Sequence, residues 1–284
     1  MFNMRRIKDL SILQSDLFPL SVPHGFATRR LANQKAVAES PDLPNFRIDS
    51  LPDTAGWWIK LRNALFSQKH VCFANKQVHG GKVRVVNPDS LEGEEQDFSG
   101  FKIRMLGEGD SIVKPFTRLP IFLAITTADC LPSLVYDKQS GAVGVVHAGW
   151  RGLAADIPAA ALREFKKSLN SKLPDLLWAT GPSIDFDNYQ VGPEVIGALE
   201  AAGYAESDWR SSRDVQPGWV RERRSDRYRL NLAACLQIRL AGLGLKREQV
   251  DICTLSTFVN SNLFYSYRRD GEIKGLQTSV IGFP

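Results

Sequence analysis

ITTADCLPSLVYDKQSGAVGVVHAGWRG, residues 125–152, is the stretch whose reading decides the fold. Two apolar runs, 131–136 and 142–147, flank Lys138-Gln139-Ser140-Gly141, a four-residue turn closed by glycine, and predict an antiparallel hairpin. With those four residues as the loop, Asp137 faces Ala142, and counting back along both runs sets Pro132 opposite His147. Side chains alternate faces along a strand, so Cys130 shares the face of Pro132 and His147. Cys130 and His147 become diagonal neighbours, roughly 7–8 Å apart at the backbone. That gap suits a thiolate and an imidazole converging on one metal ion at about 2.3 and 2.0 Å. A slip of one residue would turn one of them to the opposite face.

A third ligand type lies upstream in Lys76-Gln77-Val78-His79-Gly80. The chain has four histidines, His24, His70, His79 and His147. Taken singly, each reads first as a structural hydrogen-bonder: His24 at the edge of a pocket, His70 at the surface. Taken with Cys130 and His147, His79 completes three N/S ligands with a fourth position open, the pattern of a catalytic zinc site. Zinc-finger ligands come in close pairs, which these do not. The two glycines after His79 would let backbone approach such a site. Asp129, just before the cysteine, is a candidate general acid/base or a group that orients a ligand. Arg151 stands in a Gly149-Trp150-Arg151-Gly152 turn that offers a guanidinium and backbone N–H groups to an anion. The next helix is predicted to start at Asp156, as its cap, with Pro158 in the first turn.

Working outward, strand-like runs appear at 82–86 and 121–126 as well as in the hairpin. Helical patterns appear around 57–66 and at 157–169, 194–202 and 232–241. Strands and helices interleave, which predicts an α/β chain. Segment 31–53, polar and holding Pro41, Pro44 and Pro52, reads as a surface loop. No linker divides the chain, so residues 1–284 read as one domain. Hydrophobic residues at 43% and charged ones at 24% match globular usage and exclude disordered and fibrous classes. No run approaches the ~18 apolar residues of a membrane span. The N-terminal segment has two arginines but no apolar core of signal-peptide length, so a cytoplasmic location is predicted. Cys72, Cys130, Cys235 and Cys253 are scattered without a C-x-x-C pair and read as free thiols, with Cys72, Cys235 and Cys253 packed in the core. The net charge of +5 is concentrated at Arg221, Arg223, Arg224, Arg227 and Arg229. Offset by Glu222 and Asp226 and without a nucleic-acid module, this cluster reads as a solvated loop, not a nucleic-acid patch.

TTADCLP, VVHAGWRGL and KQVHG, with HGFATR at residues 24–29 and LFYSYRRDG at 263–271, resemble one family closely: the bacterial laccase-domain family once named multicopper polyphenol oxidase. The resemblance covers most of the chain, from His24 to about Gln277. It implies zinc-dependent purine nucleoside phosphorylase activity, with adenosine deaminase and methylthioadenosine phosphorylase side activities. It implies a single domain of layered mixed β-sheets flanked by helices, distantly similar to cysteine hydrolases of the cytotoxic-necrotising type. It implies a metal site at His79, Cys130 and His147, and a pocket lined by Arg29, Gln77, Asp129 and Arg151. The implied partners are purine nucleosides and inorganic phosphate, not nucleic acid or membrane. Four departures from the family pattern fall outside the metal ligands. Arg30-Leu31-Ala32-Asn33-Gln34 stands where members carry G-G-V-S, and Asp187-Asn188 stands before Tyr189 in place of a cysteine pair. Asn231 replaces an aspartate, and Leu276 replaces an arginine after Gly275.

Two other chemistries remain open on these residues. One is a copper oxidase acting on phenols: four histidines cannot build a four-copper cluster, but a single His₂Cys copper site is allowed. The other drops the metal and uses Cys130 as nucleophile with His147 as base in a hydrolase. A non-enzymatic role in holding metal or binding a partner is the remaining reading.

Overall fold

The computed structural model describes residues 1–8, 10–31, 51–87, 91–98, 100–205, 217–223 and 225–283. Two sheets carry the molecule. The first has eight strands, joined across the sheet as β1 (Phe2–Ile7), β2 (Leu10–Ser15), β3 (His24–Leu31), β17 (Gln277–Gly282), β9 (Ile121–Thr127), β4 (Val71–Lys76), β7 (Phe101–Glu108) and β6 (Glu94–Phe98). The second has six, in the order β16 (Val250–Ile252), β12 (Leu176–Thr180), β10 (Leu131–Asp137), β11 (Val143–Ala148), β8 (Ser111–Lys114) and β5 (Val83–Val85). A small third sheet sets β15 (Tyr228–Leu230) between β13 (Gln190–Val191) and β14 (Trp219–Arg221).

Alternation along the strands sorts the core into three slabs. Ile121, Leu123 and Ile125 of β9 meet Leu134, Val143 and Val145 of the second sheet in a buried layer between the two sheets. The opposite residues, Phe122 and Ala124, pack with Trp57, Trp58 and Leu61 of α1 (Leu51–Leu65). On the far side, Leu131, Val135 and Val146 pack against three helices, α3 (Ile157–Ser168), α4 (Pro193–Ala201) and α5 (Leu232–Gly242). The layers therefore run helix, sheet, sheet, helix. Because both faces of the central strands are covered, they read in sequence as near-continuous apolar runs.

The hairpin forms in the predicted register, with Leu131 opposite Ala148 and Pro132 opposite His147. Asp137 closes its turn by accepting backbone N–H groups from Gln139 and Ser140 at 2.8 and 3.1 Å. The predicted helices at 157–169, 194–202 and 232–241 agree with α3, α4 and α5 to within one or two residues.

Three expectations change. The loop predicted over 31–53 is shorter at both ends, since Leu31 ends β3 and α1 begins at Leu51; residues 32–50 lie outside the described residues. The Gly149–Gly152 turn is a short helix, α2 (Trp150–Ala154), with Arg151 inside it. Asp156 does not cap α3. It sits at φ 52°, in the left-handed region, and its carboxylate accepts a two-pronged hydrogen bond from Arg239 of α5 at 2.9 and 2.5 Å. No helix among the described residues is long and apolar enough to cross a membrane.

Candidate metal centre

His147 lies two residues beyond Val145 on β11, so its ring continues the layer between the sheets to the end where the sandwich opens. Cys130 immediately precedes β10, and His79 sits on the loop that leaves β4. The donor atoms of His79, Cys130 and His147 lie within 4.8 Å of one another. The two imidazoles meet edge to face, with ring centroids 4.8 Å apart. A shared ion at about 2.0–2.3 Å from each donor would draw them somewhat closer.

Asp110 organises both histidines and is fully buried. Its Oδ1 is 2.8 Å from Nδ1 of His147 and accepts the backbone N–H of His79 at 2.9 Å. Its Oδ2 accepts the N–H of Gly80 at 2.7 Å, and its backbone carbonyl accepts the N–H of His147, also at 2.7 Å. These bonds hold His79 at φ 60°, a left-handed conformation that a β-branched or bulky residue rarely adopts. With Nδ1 turned to a carboxylate, His147 presents Nε2 to the thiol, the arrangement found where a carboxylate fixes the tautomer of a metal-bound histidine. A donor set of two imidazoles and one thiol, backed in this way, fits a zinc-type ion.

The site's electrostatics follow from these contacts. Burial pushes the Cys130 thiol up, but the hydrogen bond and charge of His147, and then those of His79, more than reverse this and leave it at about 6. Burial pulls His147 down, while Asp110 and Cys130 together raise it to about 9. Burial raises Asp110, but His147 and the N–H groups of Gly80 and His79 bring it below the usual carboxylate range. The other three cysteines are buried and pushed upward by burial, to about 12 at Cys235 and about 11 at Cys253, as inert core thiols should be.

A cavity of about 1040 Å³ opens over the triad. Gln77, Asp129 and Arg151 line it, as does the triad itself. Arg29 does not: it stacks on Tyr265, 4.6 Å from the ring centroid, and reaches the carbonyl of Ser261. The expectation that Arg29 lines the pocket is thereby corrected, because β3 carries it to the C-terminal segment instead. Gln77 does line the cavity, but its amide clasps backbone. Nε2 donates to the carbonyl of Thr126 at 2.8 Å and Oε1 accepts the N–H of the same residue at 2.9 Å. It extends the pairing of β4 with β9 and steadies the loop that carries His79. Asp129 is buried at φ 93°; Oδ1 accepts from the Thr257 hydroxyl at 2.6 Å and Oδ2 from the backbone N–H of Arg268 at 2.7 Å. Both oxygens thus tie the β9–β10 corner to the C-terminal segment, which suits a positioning role better than proton transfer. His24 is a buried structural residue away from the cavity, bonded to Val22 and Ser15. His70, read as a surface residue, is half-buried beside Phe66.

The family described as multi-copper polyphenol oxidoreductase laccase matches residues 23–284. The chain belongs to this family. Among its relatives, a purine nucleoside phosphorylase of Deinococcus radiodurans is 32% identical over 267 residues, which is 93% of this chain and 90% of that protein. A purine nucleoside phosphorylase of Bacteroides thetaiotaomicron is 32% identical over 160 residues, so that the match spans only 56% of the relative's length. The hypothetical protein YfiH of Bacillus licheniformis superposes with a TM-score of 0.79 at 24% identity, covering 100% of this chain and 99% of the other, and so shares its fold.

Against the laccase-family pattern, the departures have different local consequences. Asn231 caps α5, accepting the N–H of Ala234 at 3.0 Å, a task asparagine performs as well as aspartate. Leu276 lines the cavity with an apolar side chain. Asp187 and Asn188 lie in a short 3₁₀ turn capped by Asp185, and residues 32–34 lie outside the described residues. The arginine cluster is in part paired, with Arg229 on Glu222 and Arg227 on Asp226; Arg224 lies outside the described residues. Sequence reasoning missed Asp110. An acidic residue after Gly107 and Gly109, at the head of the apolar run Ser111-Ile112-Val113, was the available signal.

Proposed function

We propose that this laccase-family chain is a zinc-dependent purine nucleoside phosphorylase, with adenosine deamination and methylthioadenosine phosphorolysis as side activities. One observation carries the reading: His79, Cys130 and His147 converge at the floor of a cavity large enough for a nucleoside, with Asp110 fixing both histidines. The relative that matches along nearly its whole length bears the phosphorylase name. His79, Cys130 and His147 would hold an ion that, when bound, would supply positive charge and Lewis acidity to the reacting centre. The chain's own residues do the rest. Asp110 keeps a proton on Nδ1 of His147, and Asp129 and Gln77 hold the two loops that border the site. Arg151, exposed on α2 at the cavity wall, offers a planar fork to phosphate. Met105, Ile273 and Leu276 supply an apolar wall against which a purine can pack. The same donors accept copper, which binds N/S sites more tightly than zinc, so metal supply decides the ion.

The test is metal analysis of protein expressed without added copper, joined to a phosphate-dependent assay on adenosine, inosine and methylthioadenosine. About one zinc per chain, lost in His79→Ala, Cys130→Ala and His147→Ala together with turnover, is the expected result. Coordination also shields the thiol, so iodoacetamide should label Cys130 only after a chelator strips the ion. Rapid labelling of metal-loaded protein, with proportional loss of activity, would replace this reading with a cysteine hydrolase.

A further inference from the structure

The phosphorylase reading gives phosphate one guanidinium, Arg151, and the cavity lining offers further donors. Two guanidinium groups line the cavity, each lying on an aromatic ring that also lines it. Arg151 lies over Trp150, 4.3 Å from the centroid, and Arg268 over Tyr189, 5.1 Å from the centroid. Both arginines are exposed, and among the described residues neither has a carboxylate within ion-pair distance. Lys76, a third cation on the lining, is paired with Glu108 at 3.4 Å. Stacking uses the face of a guanidinium and leaves its N–H donors free in the plane. Arg268 gives one of those donors to the carbonyl of Gln190 at 2.7 Å, which fixes the plane and leaves other donors available.

Tyr189 lines the same cavity and lies beneath the Arg268 guanidinium. Burial pushes its phenol well up. The phenol therefore remains a hydrogen-bond donor. The one carboxylate on the lining, Asp129, already accepts from Thr257 and from the backbone of Arg268 with both oxygens. Met105, Ile273 and Leu276, also on the lining, offer no charge to an anion.

We propose that Arg151, Arg268 and Tyr189 form an oxyanion subsite that takes a phosphate dianion beside the metal-ligand triad. This rests on the phosphorylase reading for its role in turnover, and on geometry alone for its existence. Arg268 and Tyr189 thereby become binding residues, with Trp150 and the ring of Tyr189 serving as the flat supports.

Binding and turnover are measured separately. Calorimetry with inorganic phosphate on the metal-loaded protein reads the subsite without a nucleoside. Arg151→Gln and Arg268→Gln should each weaken phosphate about tenfold or more, and Tyr189→Phe less, since charged donors outweigh a neutral one. Arg268→Lys should recover only part of the loss. Lys76→Gln, on the same lining, should leave phosphate affinity unchanged, and melting temperatures identify any variant that fails to fold. In steady state the phosphate KM should rise while the nucleoside KM stays within a few-fold. Unchanged phosphate affinity in both arginine variants would overturn the subsite even if the phosphorylase activity is real. Conversely, arginine-dependent phosphate binding in a chain that cleaves no nucleoside would retain the subsite and remove the phosphorylase reading. Adenosine 5′-monophosphate serves as the second probe: if it alone depends on the arginines, the wall reads a phosphoryl group carried by the ligand, and the proposal of a free-phosphate site fails.

Discussion

Two of the three candidate ligands sit on one hairpin, and the third sits on a loop; the two regions reach the same point by different physics. His147 is placed by the β10–β11 ladder, where a fixed register and the two-residue alternation leave no choice of face, and Cys130 stands one residue before the ladder's first pair, Leu131 with Ala148. His79 has no ladder to hold it. Its direction is imposed from a distance in sequence by Asp110, which grips the backbone of His79 and Gly80 while its other contact steadies the ring of His147. Local pattern builds the first half of the site, and one buried carboxylate builds the second. The hairpin half should therefore tolerate changes that the loop half does not.

Removing the carboxylate is the largest test of that contrast. Asp110→Ala strips partners from the part-buried backbone N–H groups of His79 and Gly80 and from the buried Nδ1 of His147. A loss of about 3–5 kcal/mol is expected, the cost of breaking a buried charged network on one side. Asp110→Asn keeps one acceptor and one shape, so it should cost less in denaturant unfolding. Both variants should bind zinc at least about tenfold more weakly in chelator competition, as loss of such supporting partners generally does. If Asp110→Ala keeps full zinc affinity, the loop is held by something else and the contrast between the two halves collapses.

The joint between the halves is Gly149. A Cβ built there would lie 2.7 Å from the Cys130 sulfur and 3.7 Å from Cδ2 of His79. The sulfur has a single side-chain torsion, so it can yield only by swinging out of the triad. Gly149→Ala should cost about 1–3 kcal/mol, typical of overpacking, while nearly abolishing metal binding. A variant that loses stability but keeps its metal would show that the sulfur yields without leaving the site. The glycines after His79 work differently. At Gly81 a Cβ would meet the carbonyl of Ala155 at 2.7 Å, so this close approach is to the end of α2 and not to the metal site.

This division also marks what was legible in the sequence. The hairpin, its register, the shared face of Cys130 and His147, and three of the helices follow from periods of two and 3.6 and from one turn, all of them local signals. Asp110 was hard to read because its partners lie 30 to 37 residues away on either side, and its place after two glycines at the head of an apolar run is only a weak local sign of burial. Asp156 misled for a related reason. As a small acid before a helix with Pro158 behind it, it had every local mark of a cap, yet a long-range pair with Arg239 took its carboxylate. Arg29 and Gln77 were placed in the pocket by resemblance. The structure shows Arg29 stacked on Tyr265 and the Gln77 amide bonded to Thr126.

The smallest effect sets the triad against His24, through pH. His24 is buried, accepts the N–H of Ser15 at Nε2 and lies 2.8 Å from the carbonyl of Val22 at Nδ1, which suits the neutral ring. Burial lowers its pKa below the ordinary 6.5, partly opposed by those backbone bonds. The unfolded chain therefore binds a proton that the folded chain refuses. The stability tied to His24 is complete above about 6.5 and is lost as pH falls below it, by no more than about 1.4 kcal/mol per pH unit. The metal-free triad should behave otherwise. Cys130, lowered from 9.0 to about 6, contributes stability that is lost as pH falls through about 6. His147, raised from 6.5 to about 9, contributes stability that is lost as pH rises through about 9. Between about 6.5 and 9 the folded pair holds one proton on His147 and the unfolded pair holds one on Cys130, so the two slopes cancel. Urea unfolding of the metal-free protein should then give a nearly flat contribution from the triad over that range, and a decline below about 6.5 that weakens in His24→Gln. Half-buried His70, also lowered by burial, should leave a residual slope in that variant. An acid decline of equal steepness in His24→Gln would move the effect to other groups, and a strong slope between about 7 and 8.5 that disappears in Cys130→Ser would mean the thiol and imidazole do not exchange their proton as a pair.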